Sequence, residues 1–256
     1  MHSISEAFCK IILHINVEVL IQASADNKGR KYSEIWFSKN SLGLKFMGMG
    51  IRTVADRVYL VSFETQREAA QTFLRFQEHY ESPRFKGKVF TLEGFKKWYV
   101  KNSPRGRKTG KFTYYSDWEG FNIPSDVLRP FYEGKFDPLS DQEKELLDLF
   151  EDNRSRFYII GVPRKIKNTR QLLKHETAHG LFYTNSRYRN EVMRIMRPFD
   201  LMKLRKTISA QGSYHENVLE DECQAYIISG DVDLKVDLPK ELQRKLRSVF
   251  RTYSRK

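Results

Sequence analysis

A helical stripe of apolar residues, Leu172, Leu173, Ala178, Leu181 and Phe182, is broken by His175, Glu176 and His179. A helix with that much apolar surface has to be buried, so the three titratable groups are carried toward the interior with it. Asn168, with Gln171 three positions on, is a start signal for this helix. Residues four apart lie one turn after the other on the same face, so the two imidazoles can converge on one metal ion. Glu176 stands where a carboxylate reaches a metal-bound water without ligating the metal. By composition alone, the run His175-Glu176-Thr177-Ala178-His179 arises in about one chain in a hundred of this length. A helix with structurally satisfied histidines therefore competes with a metal site, and a third ligand has to be found elsewhere.

The pattern resembles the active-site helix of the zincin superfamily of metallopeptidases, which implies a helix beside a small sheet and a bound Zn2+. The metzincin branch continues with a glycine and a third histidine, where this chain has Phe182 and Asn185. The gluzincin branch takes its third ligand from a glutamate on a later helix. Ser213 with Glu216 is a capping box, and beyond it Val218, Leu219, Glu222, Ala225, Tyr226 and Ser229 fall on one helical face. Glu222 is thus an acid on an apolar stripe, and burying it without a partner costs several kcal/mol, which a metal ion would offset. Glu220 lies nearly opposite, on the solvated side.

The run Asp221-Glu222-Cys223-Gln224-Ala225-Tyr226 resembles the gluzincin second motif, which implies Glu222 as third ligand beside His175 and His179. Many members carry a histidine-orienting aspartate where this chain has Tyr226, so that support has to come from another residue. Glu191 and Asp200 are nearer in sequence but lack the helical context. Three protein ligands leave one position for water, which zinc acidifies and Glu176 deprotonates as it attacks a peptide carbonyl. His215, two turns before Glu222, is placed to stabilise the oxyanion, as are Tyr214, Tyr183 and Tyr226; packing or capping is the simpler account of each of the four. The strand expected at Phe157 to Val162 resembles the zincin strand whose exposed edge pairs with an extended substrate. The resemblance covers Phe157 to Gly230.

The remaining chain sets the fold class. Apolar and polar residues alternate in Lys10 to Gln22, around Ser33 to Ser38 and in Arg57 to Phe63, with Asn27-Lys28-Gly29 and Gly48-Met49-Gly50 as breaks, which predicts strands. Ala69, Ala70, Phe73, Leu74 and Phe76 predict a helix over Gln66 to His79, and Phe95, Trp98 and Tyr99 have helical spacing. Asn102 to Lys111 reads as a flexible basic connection, and Phe112 to Phe136 as an irregular packed aromatic segment, with a role in the core ahead of one lining a groove. Ser140 with Glu143 opens a helix through Leu146, Leu147, Leu149 and Phe150. The expectation is α+β: a mostly antiparallel N-terminal sheet region ending in a helix, residues 1–82, then a helical zincin-like half, residues 83–256, as two domains or one. No internal repeat is present.

The net charge of +13 makes nucleic acid, anionic membrane or an acidic protein plausible as partners beside a protein or peptide substrate. Lysine and arginine concentrate in Arg84 to Lys111, Arg187 to Lys206 and Lys235 to Lys256. The last reads as an amphipathic helix with a solvated basic face. Cys9 and Cys223 have no neighbour at a disulfide-framework or zinc-thiolate spacing. The best apolar stretch, Cys9 to Ala23, is interrupted by Lys10, His14, Asn16 and Glu18, which argues against a membrane span; lacking a basic start and a clean apolar run ending in small residues, it does not read as a signal peptide, and the cytoplasm is the expected compartment. The alternative to a zinc peptidase is a basic nucleic-acid- or protein-binding protein with a structural or degenerate zinc site, which would have no need of Glu176.

Overall fold

The computed structural model describes residues 18–25, 31–38, 49–118, 120–165, 169–211, 218–230 and 236–255. Its strands are β1 (Glu18–Ala25), β2 (Lys31–Ser38), β3 (Gly50–Ala55), β4 (Val58–Phe63), β5 (Phe121–Pro124) and β6 (Tyr158–Pro163). They form one sheet in the order β1-β2-β3-β4-β6-β5. Every neighbouring pair is antiparallel except β4 and β6, which run parallel with Val58 opposite Tyr158 and Phe63 opposite Pro163. The architecture is mixed α+β, an N-terminal sheet region leading into a helical half. Strands from residues 121–163 complete the sheet, so it is continuous across residues 82 and 83.

Alternation along the two central strands explains why both faces of the sheet are covered. Val58 and Leu60 of β4 and Tyr158, Ile160 and Val162 of β6 enter one core, while Val61, Phe63 and Ile159 enter the other. A strand buried on both faces reads as a continuous apolar run, which is how Tyr158–Pro163 appears. The second core is closed by α1 (Gln66–Glu81), α2 (Leu92–Asn102), against whose end α3 (Pro104–Thr109) packs, the single turn α4 (Arg129–Tyr132) and α5 (Asp141–Asp148). The first is closed by α6 (Thr169–Thr184), α7 (Ser186–Met196), α8 (Met202–Gln211), α9 (Leu219–Ser229) and α10 (Lys240–Tyr253). Among the described residues no helix is long and apolar enough to cross a membrane.

Several local expectations are met and three are corrected. The helix over 66–79 is α1, opened by a capping box between Thr65 and Glu68, and Ser140 with Glu143 caps α5 as read. Gly50, read as part of a break, is the first residue of β3. Asn102 to Lys111 is not a flexible connection: Ser103 ends α2 and its hydroxyl accepts from the Gly106 N–H at 2.9 Å, which nucleates α3 at Pro104. Within Phe112 to Phe136, Phe121–Pro124 is a regular strand. The part of Lys10 to Gln22 that precedes Glu18, the Asn168 start signal and the Ser213–Glu216 cap lie outside the described residues.

Two glycines let helices approach the sheet from opposite sides. A Cβ on Gly161 of β6 would come within 2.3 Å of the Phe73 ring of α1. One on Gly180 of α6 would meet Val58 Cγ1 at 2.7 Å and Tyr158 Cδ1 at 3.2 Å. Gly180 follows His179 directly, so its contact with the sheet also sets where that imidazole stands. Gly180→Ala should therefore destabilise the protein by about 1–3 kcal/mol, the usual cost of overpacking, measured by urea unfolding. Trimming the opposing side chain in Gly180→Ala/Val58→Ala should leave a loss smaller than the sum of the two single variants, and strict additivity would refute the contact. The C-terminal end of α6 is held by the β3–β4 turn, where Arg57, at φ 57, donates from Nη2 to the Thr184 carbonyl at 2.7 Å. A cation at that end complements the helix dipole.

Candidate metal centre

α6 packs against β6 on one side and α9 on the other, and the polar interruption of its apolar stripe faces α9. One turn apart, the Nε2 atoms of His175 and His179 stand 3.1 Å from each other. The Glu222 Oε2 atom lies 3.8 Å from the first and 3.7 Å from the second. One ligand atom from each of these three residues falls within 4.8 Å of the others. Two imidazole lone pairs cannot meet at such a separation without a proton or a cation between them. Oε2 of Glu222 and Oε2 of Glu176 are buried without a hydrogen-bond partner, and orphaned buried carboxylate oxygens are the costliest kind of polar group to leave unsatisfied.

The orientation of His179 is fixed from behind. Its Nδ1–H donates to Asp221 Oδ1 at 2.9 Å, and the same oxygen accepts from Gln224 Nε2 at 2.9 Å. Tyr188 donates to Gln224 Oε1 at 2.8 Å, which carries the chain into the core of α7. With Nδ1 committed as donor, Nε2 is the nitrogen turned toward His175 and Glu222, and giving up its proton to a metal would leave the tautomer a ligand needs. Asp221 thus supplies the support that Tyr226 does not. Tyr226 instead packs edge-on against His175, with ring centroids 4.7 Å apart at 72°.

Burial and crowded charge dominate the electrostatics. Desolvation pushes the Glu176 and Glu222 carboxyls up to about 7, with neighbouring acids adding to the shift and His179 opposing it. Burial, reinforced by the charge of His179, holds His175 well below its ordinary value. For His179 burial works against the charged form but is outweighed by Asp221 and Glu222, which push it up to about 10. The C-terminal end of α1 adds a further acid that sequence reasoning missed. Glu81 accepts from Gln77 Nε2 at 2.6 Å and interacts electrostatically with His179, Glu176 and Glu222. Glu81 is exposed as a residue, while the protein packed around its carboxyl pushes it above its ordinary value. Nothing in the local sequence marks it, because Glu81 and His179 meet only through tertiary packing.

The remaining candidates are accounted for elsewhere. Glu220 pairs with Arg205, its Oε1 accepting from Nε at 2.9 Å and Nη2 at 2.7 Å. Glu191 accepts from Tyr253 at 3.4 Å, and Asp200 caps the start of α8 through the Met202 N–H at 2.9 Å. Tyr183 lies under the Arg156 guanidinium, 3.8 Å from ring centroid to Cζ, with its hydroxyl 3.4 Å from Ser125 Oγ. His215 and Tyr214 lie outside the described residues.

The expected substrate-pairing edge is corrected. The strand at Phe157 to Val162 is internal, with β4 on one side and β5 on the other, so the free edge next to it belongs to β5. There the Asn122 N–H donates to Gln77 Oε1 at 3.0 Å and Pro124 has no N–H to offer. The local pattern could not show this, because which strand inserts beside which is decided over long sequence separations.

No protein-family model matches the chain, and neither a curated protein nor a solved structure matches it.

Proposed function

We propose that the chain is a zinc-dependent hydrolase of the zincin type that cleaves peptide bonds, with His175, His179 and Glu222 as metal ligands and Glu176 as general base. The convergence of two imidazole nitrogens and an orphaned, buried Glu222 oxygen on one point supports this most directly. A donor set of two nitrogens and one carboxylate oxygen is suited to zinc and leaves a coordination position open. Zinc bound there would polarise a substrate carbonyl and acidify water. Glu176, one residue along the helix with an unpartnered carboxylate oxygen, takes the proton from the attacking water and returns it to the departing nitrogen. Asp221 keeps His179 in the ligating tautomer. His215 is proposed as the residue facing the oxyanion, on its sequence position before Glu222. The substrate class, a peptide, comes from the resemblance of the motifs; the hydrolytic chemistry comes from the site.

A purely structural zinc site would give no reason to bury Glu176 with an oxygen left free. The test is hydrolysis of a quenched-fluorescent peptide library by the zinc-loaded protein. Glu176→Gln should keep its zinc and lose between about one hundredfold and ten-thousandfold in kcat/KM. Chelation should abolish activity and zinc should restore it. An active Glu176→Gln, or a fully loaded wild type that cleaves no peptide, would overturn the reading.

A further inference from the structure

Residues 84–111 carry ten lysines and arginines against the single acid Glu93, and so contribute +9 of the chain's +13. A charge run is ordinarily a solvated face, but this one is built on a rigid elbow. Ser103 closes α2, with its N–H on the Tyr99 carbonyl at 2.9 Å, and opens α3 through its hydroxyl. Gly106 sits so close to the last turn of α2 that a Cβ there would meet the Tyr99 and Val100 carbonyls at 2.7 Å. Asp117 staples the following segment to the elbow: its Oδ2 accepts from Tyr99 and Thr113, each at 2.7 Å, and its Oδ1 pairs with Arg105. Lys97, Lys101, Arg107, Lys108 and Lys111 are all exposed on this elbow. Next to the staple stands Trp118, 50% exposed, its backbone held by Gln66 Nε2 on its carbonyl at 2.8 Å.

We propose that the α2–α3 elbow and Trp118 form a nucleic-acid-binding face, with the lysines and arginines taking the phosphate backbone and the indole stacking on an unpaired base. Pre-positioned cations beside an exposed aromatic ring are what single-stranded nucleic acid requires of a protein surface. A lipid surface would call for apolar side chains on the outer face, whereas α2 buries Phe95 and Tyr99 and packs Trp98, partly buried, against the same core. The other strongly basic helix, α10, buries Leu242, Leu246, Val249 and Phe250 and pairs Lys245 with Glu241, much as α2 buries Phe95 and Tyr99 and pairs Lys96 with Glu93; it differs in carrying no exposed aromatic side chain.

Fluorescence anisotropy with a labelled oligonucleotide of about sixteen nucleotides, single-stranded and duplex, across a salt series tests the proposal. Replacing Lys97, Lys101, Arg107 and Lys108 by Gln should weaken binding about tenfold or more and flatten the salt dependence by two to three charges, roughly. The same four-charge change on α10, at Lys240, Arg244, Lys245 and Arg251, should have little effect. Trp118→Ala should weaken single-stranded binding about tenfold and spare the duplex. The proposal falls if wild type does not bind, if both four-charge variants weaken binding equally, or if the protein prefers phosphatidylserine-containing vesicles to the oligonucleotides.

Discussion

Purified with zinc present, the wild-type chain should carry about one zinc per molecule and Glu222→Gln almost none. The variant keeps the shape of the side chain but removes the one carboxylate of the proposed ligand set, leaving two imidazoles to hold a divalent ion. Glu220→Gln, two residues away, should retain full zinc, because Glu220 is occupied with Arg205 on the other side of α9. Asp221→Asn should keep its zinc at high concentration but bind about 10–100-fold more weakly, since the neutral amide polarises the His179 Nδ1–H less than the carboxylate does. Elemental analysis together with chelator competition reads all four proteins. Zinc retained by Glu222→Gln would remove it from the ligand set, and a wild type that takes up no zinc even after reconstitution would sink the hydrolase reading.

The largest effect on stability is expected far from that site, at a buried ion pair on the opposite face of the sheet. Arg75 donates from Nε to Glu143 Oε1 at 2.7 Å and from Nη2 to Oε2 at 2.5 Å, while Nη1 reaches the Phe136 carbonyl at 2.7 Å. Glu143 also accepts the Ser140 N–H at 2.8 Å, so one carboxylate closes the cap of α5 and neutralises α1. Both side chains are almost fully buried. Glu143→Gln leaves the guanidinium uncompensated and should cost about 3–5 kcal/mol in urea unfolding. Removing both charges in Arg75→Met/Glu143→Leu should be much milder than either single change, because the desolvation cost disappears with the pair. A loss below about 1 kcal/mol in Glu143→Gln would mean that the pair is solvated.

What could be read from the sequence divides along physical lines. His175, Glu176, His179 and Glu222 stood out because polar groups on apolar helical faces conflict with burial; the structure brings His175, His179 and Glu222 together, with Glu176 buried within their electrostatic reach. The Ser140–Glu143 cap was legible because both partners lie within one turn. Asp221 was visible as a neighbour of Glu222, but its bond to His179 was not, since it depends on how α9 lies across α6. Misreading α3 as a loop followed from its Pro and Gly content, which Ser103 overrides by capping and Gly106 by close packing. β6 could be recognised as a strand, yet its parallel pairing with β4 spans a separation that no local pattern encodes.

That pairing bears on how the chain is made. β4 and β5 are both synthesised before β6, and the two never touch each other in the sheet order. Until Tyr158–Pro163 leaves the ribosome, a nascent chain exposes an unpaired edge on β4, and β5 has no strand to join. β6 then has to enter between two waiting strands rather than extend an edge, which favours slow, late closure of the sheet. Since α6 rests on β6 and carries both histidines, a nascent chain brings His175 and His179 against Glu222 only after this wedge has been driven in.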